Sequence, residues 1–196
     1  HDIGRFEQYR EYRTFHDGRS EDHAALGVRI LNAEGMLTQL DPPGRDLVLT
    51  AIRLHNKPDL PSDLPRRELW FTHLLRDADK LDIWRVVTEY YDDEEDERNS
   101  SLELDLPDTP EISDEVFQDL MDQKVVRFSH MRTLNDFKLL QMAWVFDLNF
   151  TGSIYRMHRR GFLHRIRAAL PDDPKVETIW ATVTAYVEQC LTNYEP

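Results

Sequence analysis

The sequence predicts an all-α fold, and two observations support that prediction. Apolar residues recur at intervals of three and four along nearly the whole chain of 196 residues, which is the periodicity of helices with one buried face. No Asn-Gly or Asp-Gly dipeptide separates two runs of alternating apolar and polar residues, so the pattern of a β-hairpin is missing. A hydrophobic content of 40% is enough for a core, and the length suits one structural unit.

Two helices are predicted in the first third of the chain, and each carries a histidine at one end. Ser20 is the expected N-cap of a helix that holds His23 in its first turn and stops at Gly35. A second helix is expected over residues 45–55, with its histidine in the last turn, because Pro58 cannot continue it. Helices packed antiparallel across a short connection would bring these two histidines to one place.

Residues 66–91 form the longest periodic segment, with apolar side chains on more than one face. A helix that is apolar all round is a buried helix, so we expect this one at the centre of the fold. Asp77, Asp79 and Asp82 interrupt it. Buried charges are costly unless they are paired or bound to a metal, so these aspartates are the strongest physical indication of a site.

The chain is expected to divide at an acidic, proline-containing stretch. Residues 1–91 are the predicted core, residues 92–112 a polar linker, and residues 113–196 a set of helices packed on the core. Capping residues are predicted in this last part: Ser113, the capping box of Thr133 and Asp136, and Asp173 before Pro174.

Composition excludes several classes of function. A formal net charge of −13 repels the phosphate backbone of a nucleic-acid polymer, so a small substrate is favoured. No stretch reaches the roughly 18 consecutive apolar residues of a membrane span. A lone Cys190 and the lack of a secretory or transit signal in the sequence favour a cytoplasmic protein.

An adjacent His-Asp pair supplies an imidazole nitrogen and a carboxylate oxygen, which suit divalent transition metals. The pair opens an ordered series of four segments, HDIGRF, DHAALGVRIL, AIRLHNK and RDADKLD, which cover roughly residues 1–91. This series resembles the HD superfamily of metal-dependent phosphohydrolases, and among its members the stand-alone bacterial proteins. The resemblance implies an HD-domain helical bundle with additional C-terminal helices.

The resemblance also implies a set of metal ligands. These are His1 and Asp2 as the paired ligands, His23 and His55 as the extra histidines of the binuclear branch, and Asp79 as the family aspartate with Asp77 as second choice. Asp2 would bridge two ions, and the cofactor is one or two divalent ions of Fe, Mn, Co, Ni, Zn or Mg. In the family a further histidine precedes the His-Asp pair, so an additional ligand is expected upstream of His1.

The implied activity is hydrolysis of a small phosphate ester, such as a nucleotide or related metabolite, by a metal-activated water. Arg5, Lys57 and Lys80 are the expected phosphate contacts. Partners are then a phosphorylated small molecule and, as an open alternative to a monomer, a second copy in a homodimer. Two other functions stay open: a di-iron oxygenase acting on a small polyol or phosphonate, and a non-catalytic helical binding protein with a decayed metal site.

Overall fold

A computed structural model describes residues 1–92, 99–192 and 194–195, with the backbone alone at residues 100 and 101. Within these ranges the chain is helical and contains no strand, which confirms the all-α prediction. No helix in the same ranges has the length and apolar character needed to cross a bilayer.

The helices are named in chain order. They are α1 (Ile3–Tyr12), α2 (His23–Ala33), α3 (Pro42–Leu54), α4 (Arg66–Asp92), α5 (Ser100–Glu103), α6 (Asp114–Met121), α7 (Leu134–Ala143), α8 (Thr151–Arg159), α9 (Phe162–Ala168) and α10 (Pro174–Leu191). Short 3₁₀ helices lie at Asp17–Arg19, Phe128–His130 and Trp144–Asp147.

The chain forms two compact units, a first unit of His1–Arg76 and a second unit of Asp77–Pro196, and α4 contributes residues to both. The division at residues 92–112 that the sequence suggests stays a prediction, and residues 93–98 of that stretch lie outside the described residues.

The N-terminus of α2 differs from the prediction. Asp22, not Ser20, is the N-cap, and its Oδ1 atom accepts hydrogen bonds from two backbone N–H groups of the first turn at 2.9 and 3.1 Å. The Ser20 hydroxyl instead donates to the carbonyl of His16 at 2.9 Å. The prediction of Ser20 was wrong because the 3₁₀ turn at Asp17–Arg19 ends at this residue, so that α2 starts three residues later.

The first unit depends on a close crossing of α1 and α2. A Cβ atom placed on Gly4 would lie 2.1 Å from the carbonyl oxygen of His23 and 2.8 Å from the backbone nitrogen of Gly27. No side chain larger than hydrogen fits this crossing, so the two backbones are in contact. The start of α1 therefore lies beside the start of α2.

The first unit also contains a small apolar core. Its buried residues are Val28, Leu49 and Ile52, and the partly buried residues packed against them are Leu31, Leu37, Val48 and Leu75.

The second unit contains the larger core. Trp84 of α4 is fully buried in it, and its Nε1 atom donates to the carbonyl oxygen of Gln141 at 2.9 Å. The predicted capping box of Thr133 and Asp136 is confirmed at the start of α7. The prediction for α10 is also confirmed, since Asp173 is its N-cap and Pro174 its first residue. Ser113 stands at the N-cap position of α6, but its hydroxyl donates to Asp136 at 2.7 Å.

The expectation that α4 is buried on every side was wrong. Trp70, Phe71 and Leu74 remain 49%, 39% and 42% exposed. The buried residues form one stripe at intervals of three and four, consisting of Thr72, Arg76, Asp77, Lys80, Trp84, Val87 and Thr88. This stripe mixes polar and apolar side chains, so hydrophobicity alone did not reveal which face is covered.

Candidate metal centre

Four side chains of the first unit converge where three helices begin or end. His1 and Asp2 directly precede α1, His23 is the first residue of α2, and His55 is the C-cap of α3. The Nε2 atom of His23 lies 3.0 Å from Nε2 of His55 and 3.5 Å from Oδ1 of Asp2. The Nε2 atom of His1 lies 3.0 Å from Oδ2 of Asp2. His1, Asp2 and His55 each offer a ligand atom within 4.8 Å of the others.

Burial within this cluster is uneven. His23 and His55 are 3% and 5% exposed, whereas His1 and Asp2 face the surface. The imidazole of His55 is packed edge to face between the other two rings, with centroids 4.8 Å from His1 and 5.0 Å from His23. The cluster therefore has a covered inner side made by two histidines and an open outer side through which an ion or a substrate can reach it.

The Nδ1 atoms of His23 and His55 are each held by an acceptor outside the cluster. Nδ1 of His55 lies 2.6 Å from the carbonyl oxygen of Ile52, and Nδ1 of His23 lies 2.7 Å from Oδ2 of Asp17. Both partners are acceptors, so each Nδ1 atom donates a hydrogen bond, and the Nε2 atoms of the two rings face each other inside the cluster. Two lone pairs 3.0 Å apart repel each other unless a proton or a metal cation lies between them.

Asp2 adds a negative charge to the same cluster. Its partial burial opposes ionisation, but the hydrogen bond and positive charge of His1, together with the charges of His23 and Arg5, lower the pKa of the Asp2 carboxyl below its ordinary value. Three imidazole nitrogens and one carboxylate oxygen thus form the donor set, which is a combination that iron, manganese, cobalt, nickel and zinc accept. The residues present fit a divalent metal ion.

Asp17 forms a second layer behind His23. Its Oδ1 atom accepts hydrogen bonds from Nε2 of Gln8 at 2.8 Å and from Nη1 of Arg5 at 3.1 Å. Burial opposes ionisation of this carboxyl as well, but the hydrogen bonds from His23 and Gln8 and the charges of His23 and Arg5 outweigh it and hold the pKa of Asp17 well below its usual range.

Asp22 also lies near His23, and together with Asp17 these residues form a second group that is close enough to hold an ion. Its oxygens are already used, because Oδ1 caps α2 and Oδ2 is paired with Lys57. The side-chain amide of Asn56 donates to both Asp17 and Asp22, at 3.3 and 3.2 Å. This second group is a network of hydrogen bonds and ion pairs that surrounds His23, and it has little capacity left for a metal.

The three cations predicted to bind phosphate are each paired with a carboxylate. Arg5 contacts Asp17 and, at 3.8 Å, Asp2, while Lys57 is paired with Asp22. In the second unit, Nζ of Lys80 lies 2.8 Å from Oδ2 of Asp147, and Lys80 is almost completely buried. A phosphate would have to compete with these ion pairs, and the role of all three residues stays a prediction.

Asp77, the second choice for the family aspartate, has a structural function in the second unit. Its carboxylate is 1% exposed and accepts from Asn149 N, Asn149 Nδ2 and Phe150 N at 3.0, 2.9 and 3.0 Å. Phe150 is the N-cap of α8 and has no side-chain acceptor, so Asp77 supplies the cap from α4. Asp79 is half-buried on the same helix, and it stays the predicted family aspartate.

Sequence reasoning missed several residues that build the centre. Asp17 and Gln8 escaped notice because no periodicity or ligand spacing relates them to His23. Gly4 carried a signal, since a glycine near the start of a helix often marks a close approach of another backbone. Asp22 was as good a candidate for the N-cap of α2 as Ser20, and it directly precedes His23.

Comparisons of the chain with models of known protein families, with curated proteins and with solved structures gave no match. The resemblance to the HD superfamily therefore rests on the four sequence segments alone. The candidate centre has independent support, because His1, Asp2, His23 and His55 come from three different helix ends and meet within one cluster.

Proposed function

We propose that His1, Asp2, His23 and His55 bind a divalent metal ion and that the chain is a metal-dependent phosphohydrolase of the HD type. One observation carries the metal site: the Nε2 atoms of His23 and His55 lie 3.0 Å apart, and Nε2 of His23 lies 3.5 Å from the carboxylate of Asp2, whose pKa is lowered. A cation bound among these atoms would be held by imidazole nitrogens and a carboxylate oxygen at once, which is the arrangement of a transition-metal site.

The reaction class comes from the resemblance. A bound divalent ion lowers the pKa of a water ligand toward neutrality and polarises a phosphoryl oxygen. The protein groups would orient that water and the ester, with access from the exposed side where His1 and Asp2 lie. The substrate class is a small phosphate ester, such as a nucleotide, because a net charge of −13 opposes binding of a polyanionic chain. Asp79 and a second ion complete the binuclear form of the proposal.

Arg5 and Lys57 are the proposed phosphate contacts of the first unit, with Lys80 as the third. Arg5 and Lys57 each form an ion pair with a carboxylate beside the cluster. The side chain of Lys57 is 40% exposed, so it can exchange Asp22 for a phosphate without losing a buried contact. A phosphate with two negative charges competes well for such a lysine, because exposed ion pairs contribute only about 0–1 kcal/mol each.

The metal site is tested on the full chain by loading it with Fe, Mn, Co, Ni or Zn and measuring bound metal by mass spectrometry. Asp2→Ala is expected to lower the metal content and to abolish hydrolysis of whichever ester in a panel of nucleotides and phosphate esters is active. His158→Ala is the matched control, because His158 is exposed in the second unit. Unchanged activity and metal content in Asp2→Ala would remove the HD assignment.

The number of ions is tested separately. His23→Ala and His55→Ala are each expected to lose one metal equivalent selectively, and a protein that still binds two ions after both changes would contradict the binuclear form. A comparison of Asp79→Asn with Asp77→Asn then decides which aspartate is a ligand. The variant that loses a ligand is expected to bind less metal, whereas the other variant is expected to lose mainly thermal stability.

The same measurements separate the alternative functions. Bound iron with a mixed-valent magnetic signal and oxygen consumption would replace the hydrolase by an oxygenase acting on a small polyol or phosphonate. A full chain that binds none of the five metals would leave a helical binding protein with a decayed site.

A further inference from the structure

The two buried histidines of the cluster are held by different acceptors. Nδ1 of His55 faces the neutral backbone carbonyl of Ile52 at 2.6 Å, whereas Nδ1 of His23 faces the carboxylate of Asp17 at 2.7 Å. An anionic acceptor binds an imidazole N–H more strongly than a carbonyl does, and it makes the opposite ring nitrogen a stronger electron donor. His23 is therefore a histidine whose orientation depends on the carboxylate of Asp17.

Asp17 is itself fixed from two directions. Gln8 is fully buried, and its Nε2 atom contacts Oδ1 of Asp17, the Ser20 hydroxyl and the carbonyl of Glu21 at 2.8, 2.9 and 2.9 Å. Arg5 contacts the same Oδ1 atom and also the backbone carbonyl of Phe15 at 2.6 Å. These contacts occupy Oδ1 and leave Oδ2 directed at His23.

The contacts of Asp17 are those of a residue that acts through His23. Its oxygens meet Gln8, Arg5, Asn56 and Nδ1 of His23, while the opposite nitrogen of His23 faces Asp2 and His55. Asn56 directly follows His55 in the chain, so the carboxylate also contacts the segment that carries the second buried histidine.

We propose that Asp17 is a positioning residue of the metal centre: it holds His23 in the tautomer with a proton on Nδ1, and so directs the lone pair of Nε2 toward Asp2 and His55. The inference rests on the proposed metal site for its effect on affinity, but the tautomer of His23 is a property of the metal-free protein. Carboxylates behind ligating histidines are a general device, and their loss lowers metal affinity by about 10- to 100-fold.

The affinity experiment compares two aspartates of the same loop. Co²⁺ is titrated into the full chain without substrate, and the visible absorption of the bound ion is followed. Asp17→Asn is expected to weaken binding by about 10- to 100-fold and to change the absorption band, because the charge behind His23 is lost. Asp22→Asn is the matched control: it removes a similarly exposed carboxylate beside His23 whose oxygens are used by the cap of α2 and by Lys57, and its expected effect is less than about fivefold.

The tautomer experiment needs no metal. In nitrogen-proton NMR spectra of the histidine side chains, His23 of the unmodified protein is expected to carry its proton on Nδ1, and Asp17→Ala is expected to shift part or all of it to Nε2. Far-UV circular dichroism verifies that each variant is folded. If Asp17→Ala is unfolded, the tautomer of His23 is measured in Asp17→Asn instead.

The two arms separate the possible failures. Equal Co²⁺ affinities of Asp17→Asn and Asp22→Asn, or an Nδ1 proton on His23 that persists in a folded Asp17→Ala protein, would overturn the role of Asp17 and leave the metal site intact. An unmodified protein that binds no metal would overturn the proposed function, and the tautomer of His23 would then still decide the role of Asp17.

Discussion

Replacing Gly4 by alanine is expected to separate α1 from α2 and to disrupt the metal centre without touching any ligand. The added Cβ atom would lie 2.1 Å from the carbonyl oxygen of His23, and restoring an ordinary contact of about 3.4 Å requires a displacement of about 1.3 Å. The atoms that it meets belong to the backbone of α2, including Gly27 N at 2.8 Å, so no side chain can rotate away. The start of α1 must move, and it carries Asp2 with it.

The cost can be worked out from two opposing terms. Overpacking against a rigid neighbour costs about 1–3 kcal/mol, and an overlap with backbone belongs at the upper end of that range. Alanine regains at most about 1 kcal/mol of helix propensity relative to glycine. We therefore expect a net loss of about 2 kcal/mol, or a melting temperature about 4–8 °C lower. Because metal sites tolerate ligand displacements of only about 0.2 Å, affinity should fall even in the folded protein.

Gly152→Ala is the matched control. Gly152 is also the second residue of its helix, but its added Cβ would meet only the hydroxyl of Tyr194, at 3.1 Å, at the end of a side chain that can adjust. This control should be neutral or slightly stabilising. Thermal denaturation and metal titration of both variants check the reasoning. A Gly4→Ala protein as stable as Gly152→Ala, with unchanged metal affinity, would refute the close contact between α1 and α2.

Four further outcomes are expected from the structure. Asp77→Ala removes the buried carboxylate that accepts hydrogen bonds from Asn149 and Phe150 at the start of α8, so it should lower the free energy of unfolding by about 2–3 kcal/mol in a denaturant titration, with Asp77→Asn losing less. Trp84→Phe deletes the hydrogen bond to Gln141 and leaves a void, and should cost about 1–3 kcal/mol in the same assay. Thr133→Ala removes half of the capping box and should cost about 1 kcal/mol; no change in unfolding midpoint would contradict the cap. A metal ion at 100 times its Kd should stabilise the protein by about 2.7 kcal/mol, seen as a melting temperature about 5–10 °C higher that chelation reverses.

Sequence reasoning succeeded where the determinants are local. The capping box of Thr133 and Asp136 and the Asp173-Pro174 helix start depend on residues within one turn, so spacing alone specifies them. The end of α3 near His55 followed from Pro58 for the same reason.

It failed where distant segments decide the outcome. Whether Ser20 or Asp22 caps α2 depends on a 3₁₀ turn that leaves no apolar pattern. The covered stripe of α4 is set by what packs on it, and Trp70 and Phe71 remain exposed although they are large and apolar. Asp17 became visible only through its distance to His23, which no spacing in the sequence encodes.

The location of the cluster at helix ends explains how one small unit can hold so many acceptors. Asp2 precedes α1 and Asp22 caps α2, so both carboxylates lie at positive helix termini, where anions are stabilised. The buried C-terminal end of α3 is balanced by Arg76, which donates to the carbonyl of His55 at 3.3 Å. These interactions stabilise the surroundings but leave the Nε2 atoms of His23 and His55 facing each other. A cation that binds there requires the folded arrangement of these helix ends, so part of its binding free energy becomes stability of the first unit itself.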